Sequence, residues 1–103
     1  MAKTYSDYPD AVRKAAERGI RLNAEVNNRC ATQVGKQRAA DLSQGNPVSL
    51  ITIKRMYSYL SRAAEYYDPG DDKACGTISY LLWGGEPALL WAERVLRDEG
   101  EIE

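Results

Sequence analysis

The chain contains no histidine and no phenylalanine among its 103 residues, and it has only two cysteines and two methionines. Histidine is the side chain most often used as a general acid or base, so its absence removes the commonest catalytic group. A structural zinc site needs about four nitrogen or sulfur ligands, which Cys30 and Cys75 alone cannot supply. We therefore expect a protein that is not an enzyme and that has no metal site and no cofactor.

Long apolar runs are also missing. No segment approaches the roughly 20 apolar residues that a membrane-spanning helix requires, and the polar start MAKTYSD does not resemble a secretory leader. A composition of 44% hydrophobic and 28% charged residues is ordinary for a globular protein, and the length suits one domain with one core. We expect an unsecreted protein, a single domain over residues 1–103, and no contact with a membrane.

Cys30 and Cys75 are 45 residues apart and belong to no CxxC motif. In a reducing compartment the simplest interpretation is two buried thiols that pack as small apolar groups. The alternative is a disulfide between them, which requires the starts of two helices to meet. Such a bond would contribute roughly 4 kcal/mol in the chain-entropy treatment. Both interpretations stay open at this point.

The net charge of the chain is only −1, but positive and negative residues are concentrated in different parts of it. Residues 1–62 hold eleven Lys/Arg and five Asp/Glu, whereas residues 63–103 hold three Lys/Arg and ten Asp/Glu, which gives net charges of +6 and −7. This division suggests a basic face that could meet phosphate and an acidic tail that turns away from it. The alternative is that the two parts neutralise each other in the fold.

Apolar residues recur at helical spacing in five segments of the chain, and residues typical of helix caps and helix ends lie between these segments. The predicted helices begin and end near residues 9–27, 33–44, 50–67, 73–83 and 87–98. Thr32 and Ser49 are the predicted caps of the second and third helices, and Asn27-Asn28 is expected to end the first. We predict no strand, frayed ends at residues 1–7 and 99–103, and an all-α fold: a compact bundle of about five helices.

The second and third helices are joined by Gly45-Asn46-Pro47, which resembles the short glycine-bearing turn of a helix-turn-helix. At 100° per residue, one polar ridge of the third helix faces away from its apolar stripe. The predicted nucleic-acid-binding residues are those of this ridge together with two from the second helix: Lys36, Arg38, Lys54, Arg55, Ser58 and Arg62. Cations and hydroxyls are what phosphate contacts require. The alternative is an ordinary solvated helix face, and the exposed Ile51 could instead mark a protein contact.

Two further features have both a structural and a functional interpretation. The tyrosines at 57, 59, 66 and 67 could stack on unpaired bases beside the cations, but a chain without phenylalanine must also build its core from tyrosine and tryptophan.

Gly84-Gly85 could let a ligand approach the backbone, but a corner between two helices, clamped by Trp83 and Trp91, is the simpler interpretation. Gly35, in the interior of the second helix, suggests that another helix crosses closely there.

Several short sequence segments are typical of one protein family: residues 8–12 (YPDAV), 18–20 (RGI), 34–39 (VGKQRA), 52–63 (TIKRMYSYLSRA), 78–85 (ISYLLWGG) and 91–92 (WA). Together they resemble a small uncharacterised module of bacteriophage and prophage proteins, sometimes appended to head-assembly proteins such as prohead proteases. The resemblance implies a phage origin and a location in the host cytoplasm or the virion. It implies no catalytic residues.

From the sequence we expect a non-enzymatic binding module of phage type that contacts nucleic acid through the basic helix-turn-helix-like segment. The alternative is a protein–protein interaction module, either a phage head-assembly adaptor or a factor that binds a host protein.

Overall fold

The computed structural model of the protein describes residues 3–103. Over these residues the elements follow in the order β1 (Thr4–Tyr5), α1 (Asp10–Glu25), α2 (Gln33–Ser43), β2 (Val48–Ser49), α3 (Leu50–Ala63), a 3-10 helix (Ala64–Tyr66), α4 (Cys75–Leu82) and α5 (Gly85–Asp98). Five α-helices dominate, so the predicted all-α bundle is confirmed. None of the helices in this range is long and apolar enough to cross a membrane.

Most helix ends lie where the local sequence signals place them. Asn27 and Asn28 adopt left-handed backbone conformations, with φ of 60° and 59°, and these end the first helical segment. The Thr32 hydroxyl accepts a hydrogen bond from the Gly35 N–H (3.1 Å), and the Ser49 hydroxyl accepts one from the Thr52 N–H (3.2 Å). Both predicted caps are confirmed, because each hydroxyl satisfies an N–H that has no partner within its helix.

The third helix is shorter than predicted. It ends at Ala63 and tightens into the 3-10 turn before Tyr67, whereas the periodicity extended it to Tyr67. The residue before Pro69 is restricted to extended conformations, so Asp68 cannot continue the helix. The Asp68 backbone is then held by Thr77, whose hydroxyl accepts from the Asp68 N–H and donates to its carbonyl, both at 3.0 Å.

The N-terminal end of the chain contradicts one expectation. Thr4–Tyr5 pairs antiparallel with Val48–Ser49, so the prediction that no strand forms was wrong. A ladder of two residues joins segments far apart in sequence, and local periodicity carries no signal for it. At the other end the Glu101 N–H donates to the Leu96 carbonyl at 2.8 Å. Met1 and Ala2, which belong to the expected frayed end, lie outside the described residues.

The core consists of two clusters. The main cluster lies chiefly between α3 and α5 and also takes in side chains of α1, α2 and α4. Its members include Val12, Leu42, Ile53, Met56, Leu60, Tyr80, Trp91 and Leu96. The small cluster lies among α1, α2 and α4 and comprises Leu22, Val26, Cys30, Ala39, Ile78, Leu81 and Leu82. Because α2 packs on α1 and α4 while α3 packs on α5, the two central helices make little contact with each other. They have the connectivity of a helix-turn-helix without its close packing.

The close helix crossing occurs at a different glycine from the one the sequence suggested. A β carbon built on Gly19 of α1 would lie 2.7 Å from the Leu82 nitrogen, whereas one built on Gly35 would meet only ordinary contacts at 3.5 Å. Gly19 therefore lets the backbones of α1 and α4 approach. Gly84, with φ of 102°, forms the corner between α4 and α5, as the sequence predicted.

Candidate functional site

The outer face of α3 carries the side chains that the sequence singled out. Ile53, Met56 and Leu60 are fully buried and define the inner face. The ridge residues Lys54, Arg55, Ser58 and Arg62 are all exposed. Their environments differ, however, because Lys54 contacts Glu101 from the turn after α5, whereas Arg55 lies close enough to Arg38 of α2 for its charge to affect the pKa of Arg38.

Lys54 is not an available cation. Its ammonium nitrogen lies 3.0 Å from a carboxylate oxygen of Glu101. The expectation that the acidic C-terminal part turns away from the ridge is wrong at this position. The reason is tertiary: α3 and α5 pack side by side, and the turn that follows α5 brings Glu101 against α3.

The Arg38 side chain already has partners within the protein. Its guanidinium forms an ion pair with Asp41 at 3.2 Å and lies 5.9 Å from the centroid of the Trp83 ring. Burial lowers the pKa of Arg38, the charge of Asp41 opposes this shift, and the charge of Arg55 adds to it. An arginine stays protonated throughout the physiological range, so Arg38 remains a cation whose face is covered by an aromatic ring.

Lys36 points to another surface. It is exposed, but it lines a groove with Ile20, Asn23 and Ala40 on the side of α2 that faces α1. Residues 36 and 38 are about 200° apart around a helix, so they cannot extend the same ridge. The structure therefore does not bring Lys36 to the α3 ridge.

Arg55, Ser58 and Arg62 are the predicted residues that remain together. One Arg62 guanidinium nitrogen donates to the Ser58 hydroxyl at 3.1 Å. Within residues 3–103, neither Arg55 nor Arg62 takes part in any of the ion pairs. Both guanidinium groups therefore face solvent with their charge uncompensated by a neighbouring carboxylate.

Aromatic rings alternate with these two arginines along the same side of α3. Arg55, Tyr59 and Arg62 follow one another at spacings of four and three residues, which is the repeat of one helix face. Tyr66 follows in the 3-10 helix and lines a groove together with Tyr59 and Arg62. We call these four residues the α3 stripe. The Tyr59 ring stacks on Trp83, with centroids 4.5 Å apart and planes inclined by 26°.

A shallow groove opens at the C-terminal end of the stripe. It has a volume of about 260 Å³ and is lined by Tyr59, Arg62, Ala63, Tyr66 and Gly76. Gly76 belongs to the first turn of α4, and a β carbon there would lie 2.9 Å from the β carbon of Tyr66. The glycine is therefore what allows Tyr66 to lie so close to α4.

Trp83 is the member of this surface that sequence reasoning missed. We expected Trp83 and Trp91 to clamp the corner between the last two helices, but each ring packs against a tyrosine from another part of the chain. Trp83 stacks on Tyr59, and Trp91 packs edge-on against Tyr8 with centroids 5.2 Å apart. Residues 59 and 83 are distant in sequence, so no local pattern relates them.

The two cysteines form a disulfide, so the interpretation as two thiols was wrong and the alternative is confirmed. The bond joins the loop after α1 to the first residue of α4. Two hydrogen bonds hold the same loop: Asn23 accepts from the Cys30 N–H at 3.0 Å, and Ser79 donates to the Cys30 carbonyl at 2.8 Å. The loop that leads into α2 therefore meets the start of α4, which nearly matches the expected condition that the starts of two helices come together.

In the part of the chain that the structure describes, no group of three or more Cys, Asp or Glu side chains is placed to hold a metal ion. In comparisons with protein-family models, with curated proteins and with solved structures, the chain matches none of them.

Proposed function

We propose that the protein is a non-enzymatic binding module that contacts the phosphate backbone of nucleic acid through Arg55, Ser58 and Arg62. The observation that carries this proposal is the pair of exposed arginines without a carboxylate partner in the described chain, on a face otherwise made of hydroxyls and aromatic rings. Guanidinium groups and hydroxyls are the usual partners of phosphate oxygens.

The expected binding is modest. Only two of the five predicted cations remain available at the ridge, because Lys54 and Arg38 are paired and Lys36 faces elsewhere. Each neutralised phosphate contributes a slope of about −0.9 to the dependence of log affinity on log salt for a duplex, so two contacts predict a slope near −2. Because α2 and α3 do not pack as a recognition pair, the proposal needs no reading of base sequence in a major groove.

A charge-matched comparison tests this proposal. The double variant Arg55→Gln/Arg62→Gln should lose most of its affinity for a labelled oligonucleotide at low salt, with its salt slope reduced by about 2. Arg21→Gln/Arg94→Gln removes the same charge from two exposed arginines on α1 and α5 and should retain the wild-type slope. Fluorescence anisotropy across a salt series measures both. Equal losses in the two variants, or affinity that does not depend on salt, would reject phosphate contact at the ridge.

We also propose that the module is of phage type and acts in the host cytoplasm or the virion. This rests on the resemblance of residues 8–12, 34–39, 52–63 and 78–85 to the phage module described above. Detection of the chain by mass spectrometry in purified virions, as opposed to infected-cell extract alone, separates the two locations.

A second candidate function is protein–protein interaction, as a head-assembly adaptor or a factor that binds a host protein. It is supported by an apolar groove of about 460 Å³ between the start of α1 and α5, where Pro9, Pro87, Leu90 and Trp91 lie together. Leu90 is 58% exposed there, and Ile51 is 64% exposed at the start of α3. A stoichiometric partner that Leu90→Lys or Ile51→Lys releases, and that Arg55→Gln/Arg62→Gln retains, would favour this function over the first.

A further inference from the structure

We propose that the ligand of the α3 stripe is single-stranded nucleic acid, one base of which stacks on Tyr66 in the groove beside Gly76. This inference rests on the proposed function and deepens it, because it names which form of nucleic acid the stripe accepts.

Tyr66 differs from every other tyrosine of the chain. Tyr8 and Tyr80 are buried, and the tyrosines at 5, 57, 59 and 67 are partly buried against the main cluster. Tyr66 is 70% exposed, and its ring stacks on no other aromatic side chain of residues 3–103. The interpretation that tyrosines serve the core in a chain without phenylalanine therefore accounts for the other six and leaves Tyr66 unexplained.

The alternation along the stripe suits a single strand. Arg55 and Arg62 are seven residues apart, about 10 Å along the helix axis. Tyr59 lies between them and Tyr66 follows, so cations and rings succeed one another at steps of about 5 to 6 Å. A single strand can lay its phosphates on the cations and turn its bases toward the rings, because its bases are unpaired. In a duplex each base face is covered by the neighbouring base pair, so the rings would have nothing to stack on.

The groove provides room for one flat ring. It is lined by Tyr59, Arg62 and Tyr66 together with Ala63 and Gly76, which contribute almost no side-chain bulk. Tyr59 is already covered on one face by Trp83, so Tyr66 is the ring left for a base. Stacking on Tyr66 would also cover its exposed apolar surface.

The test compares one oligonucleotide, single-stranded and annealed to its complement, with 2-aminopurine as a stacking probe. Wild-type protein should bind the single strand more tightly and change the probe's fluorescence. Tyr66→Ala should weaken single-strand binding between about fivefold and 150-fold with an unchanged salt slope, because it removes a stacked base and no charge. Tyr66→Phe should restore affinity, and Val34→Ala, which truncates an exposed apolar side chain on α2, should behave as wild type.

The outcomes separate this inference from the function it rests on. If the protein binds the duplex as tightly as the single strand, and Tyr66→Ala lowers affinity no more than Val34→Ala does, the single-strand inference is overturned while phosphate contact stands. If neither form binds in a salt-dependent way, both are overturned. A loss of affinity in Tyr66→Ala counts only with an unchanged circular dichroism spectrum, and the probe response of the wild-type protein tests stacking independently of any variant.

Discussion

The α3–α5 half and the α1–α4 half of this bundle are held together in different ways. Between α3 and α5, large side chains fill the space, and Ile53, Met56 and Leu60 are fully buried there. Between α1 and α4 the backbones approach at Gly19, and the Cys30–Cys75 disulfide closes the same interface. The first half therefore depends on side-chain volume, and the second on backbone proximity and one covalent bond.

The candidate site lies where the two halves meet. The α3 stripe belongs to the first half, whereas Gly76 and Trp83 come from α4 and the residue that follows it, in the second. Cys75 precedes Gly76, so the disulfide ties the floor of the groove to the loop after α1. Loosening the second half should therefore disturb the groove as well as stability.

The largest expected effect is removal of the disulfide. Cys30→Ser/Cys75→Ser should lower the free energy of unfolding by roughly 4 kcal/mol, because the unfolded chain regains the entropy of a 45-residue loop. Urea denaturation without reductant measures the difference. Adding reductant should bring the wild-type protein to the same midpoint and leave the variant unchanged. A loss below about 1 kcal/mol would show that α1 and α4 are held by packing alone.

The next largest effect on stability is expected from adding a single methyl group where α1 and α4 cross. Gly19→Ala should lower the free energy of unfolding by about 1–3 kcal/mol, since its β carbon meets the backbone of Leu81 and Leu82, which cannot move aside as a side chain could. Gly35→Ala is the matched control in α2. It should be neutral or stabilise the protein by up to about 1 kcal/mol, because the site has room and alanine favours helix. Equal effects of the two changes would contradict the α1–α4 crossing.

The smallest expected effect is on how the free energy of unfolding depends on pH. It concerns the main cluster, which contains the buried tyrosines Tyr8 and Tyr80. The Tyr8 hydroxyl donates to the Asn46 carbonyl at 2.7 Å, and burial, followed by the charge of Asp41, raises the pKa of Tyr8. Burial also raises the pKa of Tyr80. The folded state therefore favours the protonated phenols, so their contribution is present below about pH 10 and is lost as pH rises through the raised pKa values.

Tyr8→Phe should consequently cost about 1 kcal/mol at neutral pH and make the alkaline loss of stability less steep than in the wild-type protein. Denaturant unfolding at a series of pH values up to the alkaline limit measures both quantities. Tyr66→Phe, at an exposed position, serves as the control and should change neither. An unaltered alkaline slope in Tyr8→Phe would mean that Tyr8 titrates alike in the folded and unfolded chain.

The features of the fold that could be predicted are those with a local cause. Thr32 and Ser49 cap helices because their hydroxyls meet N–H groups three residues ahead, and Asn27-Asn28 ends a helix because asparagine tolerates the left-handed conformation. The close crossing at Gly19 could not be distinguished from one at Gly35, since the two glycines look alike until the partner helix is in place.

The candidate site shows the same division. Exposure of Lys54, Arg55, Ser58 and Arg62 followed from helical periodicity alone, and the structure agrees. The pairing of Lys54 with Glu101 could not be predicted from helical periodicity, because it depends on how the turn after α5 lies against α3.

By itself the sequence determined the number of helices and most of their ends, which face of each is apolar, and that a cationic ridge runs along the third helix. Those properties depend on neighbours within about one helical turn. Only the tertiary structure decided that Lys54 and Arg38 are neutralised, that Cys30 reaches Cys75, and that Trp83 completes a surface with Tyr59. These contacts join residues that become neighbours only when the helices pack, apart from the local Arg38–Asp41 pair, whose burial depends on that same packing.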